Sequence, residues 1–205
     1  MFYKTDSNEH GLAHDPFKAI VAPRPIGWIG TKGRDGSINL SPYSFFNAVS
    51  DNPKLVMFSS SGSSRDSLRN ARETGVFTAS LASRHLAEQM NASAVAVDYG
   101  IDEFAIAGLT ATPGTLVDAP FVGEAFAALE CRVTDIFDLK TIEGGIAGST
   151  MVLGQVVGIH LSEEILRDGR VDMTIARPLA RMGYRDYSDG GAGVFEMTRP
   201  TRPAD

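Results

Sequence analysis

The stretch Arg24-Pro25-Ile26-Gly27-Trp28-Ile29-Gly30-Thr31, followed after a short turn by Asn39-Leu40-Ser41-Pro42-Tyr43-Ser44-Phe45-Phe46-Asn47, decides the reading of this chain. Residues 26–31 and 37–41 read as two strands of a hairpin, turned over Gly33-Arg34-Asp35-Gly36. The second strand then meets a proline, which has no ladder donor to give. Beyond it come hydroxyls, an amide and ring faces, a combination better suited to a flat, polar-edged aromatic ligand than to core alone. Trp28 is the only tryptophan. It reads either as a core anchor or as a wall for that ligand, with Gly27 and Gly30 leaving room for a ring or a neighbouring backbone. Tyr43, Phe45 and Phe46 share both readings, since alternation lets only some of them face one pocket.

Working outward, residues 1–16 form a polar arm and 18–21 a short strand. A continuous apolar strand over 54–59 is entered through Asp51-Asn52-Pro53. Serines crowd the exit, Ser59-Ser60-Ser61-Gly62-Ser63-Ser64, and a helix over 65–73 follows, capped by Ser63 or Ser64 and closed by Gly75. A strand at 76–81 precedes a helix over 83–92 that buries Leu86 and Met90 on one face. A short helix at 102–107 ends at Gly108. A long strand or strand pair at 125–139, a turn at Gly144-Gly145 and a strand at 149–161 complete the pattern. The domain spans 17–188, and 189–205 is a tail beginning in the glycine-rich Asp189–193 loop. Many unevenly spaced strands with few inserted helices predict a mainly β fold, a barrel rather than a βαβ sheet.

Composition narrows the function. The chain has 205 residues, enough for one domain with a sizeable core. A formal charge of −6 with no basic tract argues against nucleic acid as a partner. One cysteine, Cys131, excludes a disulfide framework within the chain, and its apolar surroundings make it a small buried hydrophobe rather than a catalytic thiol. No apolar run reaches the ~20 residues of a membrane span, and the N-terminal pattern is not that of a signal peptide. The expectation is a soluble, cytoplasmic protein.

The serine cluster is the best candidate for anion chemistry. A strand ending in hydroxyls, a glycine and a helix start bearing Arg65 together make a phosphate cradle, because helix N-terminal amides point unsatisfied donors outward. Ser61, Ser64 and Ser67 add hydroxyls and Arg65 a forked donor. Asp66 opposes this unless it turns away, and ordinary capping is the plainer reading. The four histidines form no set: His10 and His14 lack partners for a metal, and His85 and His160 read as surface or capping groups. Asp102-Glu103 and Glu163-Glu164 read as solvated or first-turn pairs. No catalytic motif for acyl, phosphoryl or zinc chemistry is present, and Gly-x-Gly-x-x-Gly is absent. A pocket of amides, hydroxyls and rings without catalytic side chains suits a flavin, which brings its own electron sink.

Taken in order, these segments resemble the flavin reductase-like family of FMN-binding split-barrel proteins. The nearest branch includes flavoredoxins and proteins similar to the reductase component of nitrilotriacetate monooxygenase. The resemblance runs from about residue 17 to 200. It is carried by the two opening stretches, Phe58-Ser59-Ser60-Ser61, Arg65-Asp66-Ser67-Leu68-Arg69-Asn70, Asp102-Glu103-Phe104, Gly108-Leu109-Thr110 and Leu129-Glu130-Cys131. Arg177-Pro178-Leu179-Ala180-Arg181-Met182-Gly183-Tyr184 and Phe195-Glu196-Met197-Thr198-Arg199-Pro200 complete it. It implies a Greek-key split barrel, non-covalent FMN, a homodimer, and an NAD(P)H-dependent flavin reductase that serves a monooxygenase or other acceptor. The alternative it implies is a flavoredoxin-like electron carrier that does not oxidise nicotinamide itself. By position, Pro42, Tyr43, Ser44 and Phe45 would line the isoalloxazine edge, with Trp28 near the ring. Ser59, Ser60, Ser61, Arg65, Asp66 and Ser67 would surround the ribityl chain and phosphate, and Arg181 would reach the same pocket. No metal and no catalytic side chain are implied. Two positions depart from the family: Ser80, where asparagine is common, and Arg65, where lysine is common.

Overall fold

Hairpin turns, β-branched runs and one topological constraint together produce a curled antiparallel sheet. The computed structural model describes residues 1–62 and 65–200. Seven strands form the main sheet. In spatial order they are Ile38–Tyr43, Gly27–Lys32, Val76–Leu81, Ala127–Lys140, Ile146–Leu161, Lys54–Ser61 and Phe46–Asp51. Every neighbouring pair is antiparallel. The last hairpin, residues 127–161, lies between the two earlier ones rather than beyond them, which is a Greek-key arrangement. The two outermost strands, Ile38–Tyr43 and Phe46–Asp51, are joined by Ser44 and Phe45 alone. Two linking residues reach at most about 11 Å, so the sheet edges must come round to meet each other. The result is a barrel split along that seam.

One apolar cluster draws on all seven strands and is the barrel interior. It holds Ile29, Phe58, Phe77, Cys131 and Val152, with Tyr43 and Phe46 at its margin and Leu68 and Ala71 from the helix Asp66–Thr74. Phe58 meets Phe77 edge-on at 5.2 Å. A second cluster lies outside the sheet, around Trp28, Leu40, Met90, Phe104 and Val122. The helices Ala87–Ala92 and Glu103–Ala107 cover it, which is why Gly27–Lys32 is buried on both faces. Burial and the Glu130 charge push the Cys131 thiol up to about 12, leaving it a packed, unreactive group.

The structure corrects several local expectations. Residues 18–21 do not form a strand: Asp15 Oδ1 accepts the Phe17 amide at 2.8 Å, and the helix Phe17–Ile20 starts after Pro16. The expected helix at 83–92 is a 3₁₀ turn, Arg84–Leu86, followed by Ala87–Ala92. The hairpin's second strand continues through Pro42 to Tyr43, a position tolerated because it is a sheet edge. The Phe46–Asp51 strand went unforeseen; four of its six residues are exposed, so no apolar alternation marks it. Caps assigned to Ser63 or Ser64 fall outside the described residues.

Glycines mark the tightest approaches. A Cβ at Gly27 would strike the Phe46 ring, and one at Gly30 would strike the Pro120 carbonyl and lie 2.5 Å from Thr78 Oγ1. The room beside Trp28 is therefore filled by protein. Gly30→Ala is expected to destabilise the fold by about 1–3 kcal/mol through overpacking. Gly145→Ala, whose Cβ meets only Thr141 Oγ1 at 3.5 Å, should stay within about 0.5 kcal/mol. Urea unfolding of the two variants checks this; equal midpoints would refute it.

Glu130 is 1 % exposed. It accepts the amides of Thr115, Leu116 and Val117 at 2.9, 2.6 and 2.8 Å and pairs with His160 Nε2 at 2.6 Å. Burial pushes its carboxyl up, but these donors together hold it below its ordinary value. A depressed carboxyl stabilises the fold above its unfolded pKa, and that contribution is lost as pH falls through the folded value. Glu130→Gln should therefore cost about 1–3 kcal/mol at pH 7. It should also flatten the loss of stability below about pH 4.5, read from urea midpoints across pH 3–7. An unchanged acid limb would exclude Glu130 as its source.

Candidate functional site

The seam gathers three chain segments. Tyr43 closes the Ile38–Tyr43 strand, and its ring turns inward to meet Phe58 at 5.0 Å. Burial raises the Tyr43 phenol, while the hydroxyls of Ser67, Ser60 and Ser41 and the charge of Arg65 draw it back. One strand end, the exit of the Lys54–Ser61 strand and the start of the Asp66–Thr74 helix thus converge. The Ser59 amide also donates to the Phe45 carbonyl at 2.8 Å, tying the two strand exits together.

Strand alternation divides the serines. Ser60 shares the inward face of Phe58 and Val56, is fully buried, and its hydroxyl has no hydrogen-bond partner among the described residues. Ser59 lies on the opposite face and is nearly buried. Ser61 is exposed, its hydroxyl 3.3 Å from that of Ser149. Arg65 is exposed at the helix entrance, in extended conformation, and its side chain caps none of the helix amides.

Ser67 is the second residue of the helix and is sealed. Its hydroxyl donates to Asn39 Oδ1 at 2.7 Å; Asn39 Nδ2 donates to Glu103 Oε1 at 2.9 Å, and the Leu40 amide to Glu103 Oε2 at 3.1 Å. Asn70 Nδ2 donates to Thr31 Oγ1 at 3.1 Å, and Thr31 to Asn39 at 3.3 Å. The chain of bonds fixes the helix start against the first hairpin. It also corrects the reading of Glu103 as a solvated group, since Glu103 is 4 % exposed; the first-turn reading holds for Glu103, and Asp102 is the N-cap of that helix. Burial raises the Glu103 carboxyl, and the nearby Asp66 charge adds to that. Asp66 is itself raised by burial, with Arg69 and Arg65 opposing.

The nominated residues therefore separate into groups. Pro42, Ser44, Phe45, Ser61, Arg65 and Asp66 present partly or fully accessible surface at the seam. Tyr43, Ser59, Ser60 and Ser67 stand behind them. Trp28 is apart: it is fully buried in the outer cluster, its indole N–H donates to Ser93 Oγ at 2.8 Å, and this places it in the core rather than against a ligand ring. Arg181 is also separate from the serine exit. It lines a cavity of about 620 Å³ with Ser44, Arg24, Lys18, His14 and Tyr184. Arg24 is not among the expected site residues, because an arginine before a proline carries no periodic signal. A larger depression of about 800 Å³ lies around Gly33, Asp35 and Arg132, at the first hairpin turn.

The seam fits a phosphorylated flavin on its own geometry. An exposed guanidinium stands at the start of a nine-residue helix, hydroxyls lie beside it, and the open strand ends at Ser44-Phe45 carry amides and a ring. This is a donor set for a phosphate and a flat heterocycle.

Comparison with known proteins agrees with this architecture. The family described as Flavin reductase like domain matches residues 21–182. A relative in Deinococcus radiodurans is 37 % identical over 194 residues, covering 89 % of this chain and 82 % of its own length. The structure resembles nitrilotriacetate monooxygenase component B from Bacillus cereus with a TM-score of 0.85, at 23 % identity and 98 % coverage of both chains. It resembles flavoredoxin of Desulfovibrio vulgaris (Miyazaki F) with a TM-score of 0.72, at 26 % identity, covering 89 % of this chain and 92 % of the other. A split barrel closed at Ser44-Phe45 and a match over most of the sequence lead to one assignment: the chain belongs to the flavin reductase-like family.

Proposed function

We propose that the protein is an FMN-binding oxidoreductase, an NAD(P)H:flavin reductase that passes reduced flavin or electrons to a partner. The observation that carries this reading is the convergence of Tyr43, Ser60, Ser67 and Arg65 at one end of the seam. Bound there, the flavin would supply the hydride-accepting centre and the electron store that no side chain provides. Arg65 and the helix amides would neutralise the phosphate, with Ser61 adding a hydroxyl. Pro42, Ser44 and Phe45 would orient the ring edge through backbone groups, the Ser44 hydroxyl and one aromatic face. Tyr43 and Ser60 back the pocket and keep water from the barrel interior. Burial raises the Asp66 carboxyl, and the charges of Arg69 and Arg65 oppose that rise.

The protein is proposed to act in the cytoplasm as a homodimer. Phe137, Ile142 and Ile146, on the long hairpin, are 40 %, 100 % and 70 % exposed, an apolar surface suited to a second copy. The name of the Bacillus cereus protein points to a monooxygenase as one kind of acceptor. The likeness to flavoredoxin supports a second reading, an electron carrier reduced by another protein.

Anaerobic addition of NADH or NADPH to the FMN-loaded protein separates the two. Bleaching of the flavin band is expected; a band that persists would favour the carrier. Arg65→Ala should weaken FMN binding by about 1–3 kcal/mol, measured by quenching of flavin fluorescence. Unchanged affinity would remove Arg65 from the site. Trp28→Phe should leave FMN affinity unaltered while lowering stability by about 1–3 kcal/mol, since it deletes a core hydrogen bond and leaves a void. A loss of FMN binding at full stability would restore Trp28 to the pocket.

A further inference from the structure

The cavity of about 620 Å³ beside Ser44 carries an unbalanced charge. Arg24, Arg181 and Lys18 line it with one carboxylate, Asp15, on a chain whose net charge is −6. Arg24 is 7 % exposed, and its partners are the carbonyls of Lys18, Val21 and Met182, all neutral. Its Nε is sealed without any partner among the described residues. Arg24 and Arg181 face each other in strand register, Arg24↔Arg181. Arg181 donates to the Tyr187 hydroxyl and the Tyr184 carbonyl and lies over the Tyr187 ring at 4.6 Å, again without a carboxylate. Burial lowers the Arg24 pKa, and the Arg181 charge lowers it further.

Two guanidiniums held side by side by neutral groups repel each other, and the desolvated one costs free energy unless a counter-charge is supplied. Arg24 serves structurally by tying the arm helix Phe17–Ile20 to the segment at Met182. That tie fixes the cavity wall but leaves the charge unanswered.

We propose that this cavity is an oxyanion subsite that receives the carboxylate or phosphate group of a small co-substrate, separate from the flavin. Arg181 and Lys18 contact the anion, and Arg24 is a fixed charge behind them. Its position next to the redox ring rests on the flavin reading, because Ser44 belongs to both the cavity and the seam; its charge does not. Arg24 reaches the same border, lying 6.0 Å from the Phe45 ring centroid.

Benzoate tests the subsite, with benzamide as its neutral counterpart. Binding is followed by saturation-transfer NMR on the full-length protein, with and without FMN. Benzoate is expected to bind at least about tenfold more tightly than benzamide, and Arg181→Gln and Lys18→Gln each to weaken it about fivefold or more. Lys18→Gln, on the exposed arm helix, should keep its FMN affinity. Inorganic phosphate that displaces benzoate extends the subsite to phosphate esters; failure to displace assigns it to carboxylates. Equal binding of benzoate and benzamide, or no effect of either variant, overturns the proposal. So does a parallel loss of FMN affinity in Lys18→Gln, which would assign the cavity to the flavin's own phosphate. Benzoate binding that survives in a protein unable to bind FMN would retain the subsite and reject the flavin reading instead.

Discussion

The two-residue link Ser44-Phe45 governs the molecule. It joins strands at opposite ends of a seven-strand order, and no open sheet can satisfy it. Closure follows from chain length alone, before any side chain contributes. The packing then agrees with it: Phe46, on one edge strand, occupies the space that Gly27 leaves beside the other, and the Ser59 amide bonds to the Phe45 carbonyl. Where two edges meet without a full ladder, backbone groups stay available. The seam therefore offers accessible polar backbone, which is why the proposed ligand site is placed there.

A seam cannot by itself hold a ligand in register, because strand exits are mobile relative to a ladder. The Glu103–Asn39–Ser67 chain supplies the missing rigidity. It crosses from the helix Glu103–Ala107 through the first hairpin to the helix that carries Arg65. Each polar member is buried and bonded, so shifting the helix start would strand at least one of them at about 1–3 kcal/mol. Burial raises both carboxyls, and the Asp66 charge raises that of Glu103 further.

Much of this was legible in the sequence for identifiable reasons. Gly33-Arg34-Asp35-Gly36, Gly75 and Gly144-Gly145 each sit at a turn or helix end, since local backbone demands are written locally. The Gly75 φ of 74° and the Gly144 φ of 86° bear this out. Cys131 reads correctly because its neighbours are apolar. Three things were hidden. The Phe46–Asp51 strand has an exposed, polar sequence and exists because a neighbour needs a partner. Glu103 looks like a surface acid until the fold brings Asn39 to it across 64 residues of chain. Trp28 between glycines reads as a core anchor or a ligand wall, and what fills a glycine's space, here Phe46 and Pro120, is decided by tertiary partners. The serine run needed only the period of a strand to sort Ser60 inward and Ser61 outward, once that strand was known to reach Ser61.

The distribution of positive charge ties these observations together. On an acidic chain, cations without carboxylates are costly; Arg65, at the helix start, has Asp66 beside it, whereas Arg24 and Arg181, past Ser44, have only neutral partners among the described residues. The first is exposed and inexpensive; water and helix geometry account for it. The second is half sealed and stays charged because three carbonyls and a tyrosine orient the guanidiniums without neutralising them. Ser44-Phe45 lies between the two. On the proposed reading, a molecule with one phosphate would satisfy only one of these ends, and a second anion would answer the other. That is what a barrel that brings two reactants to one ring would need.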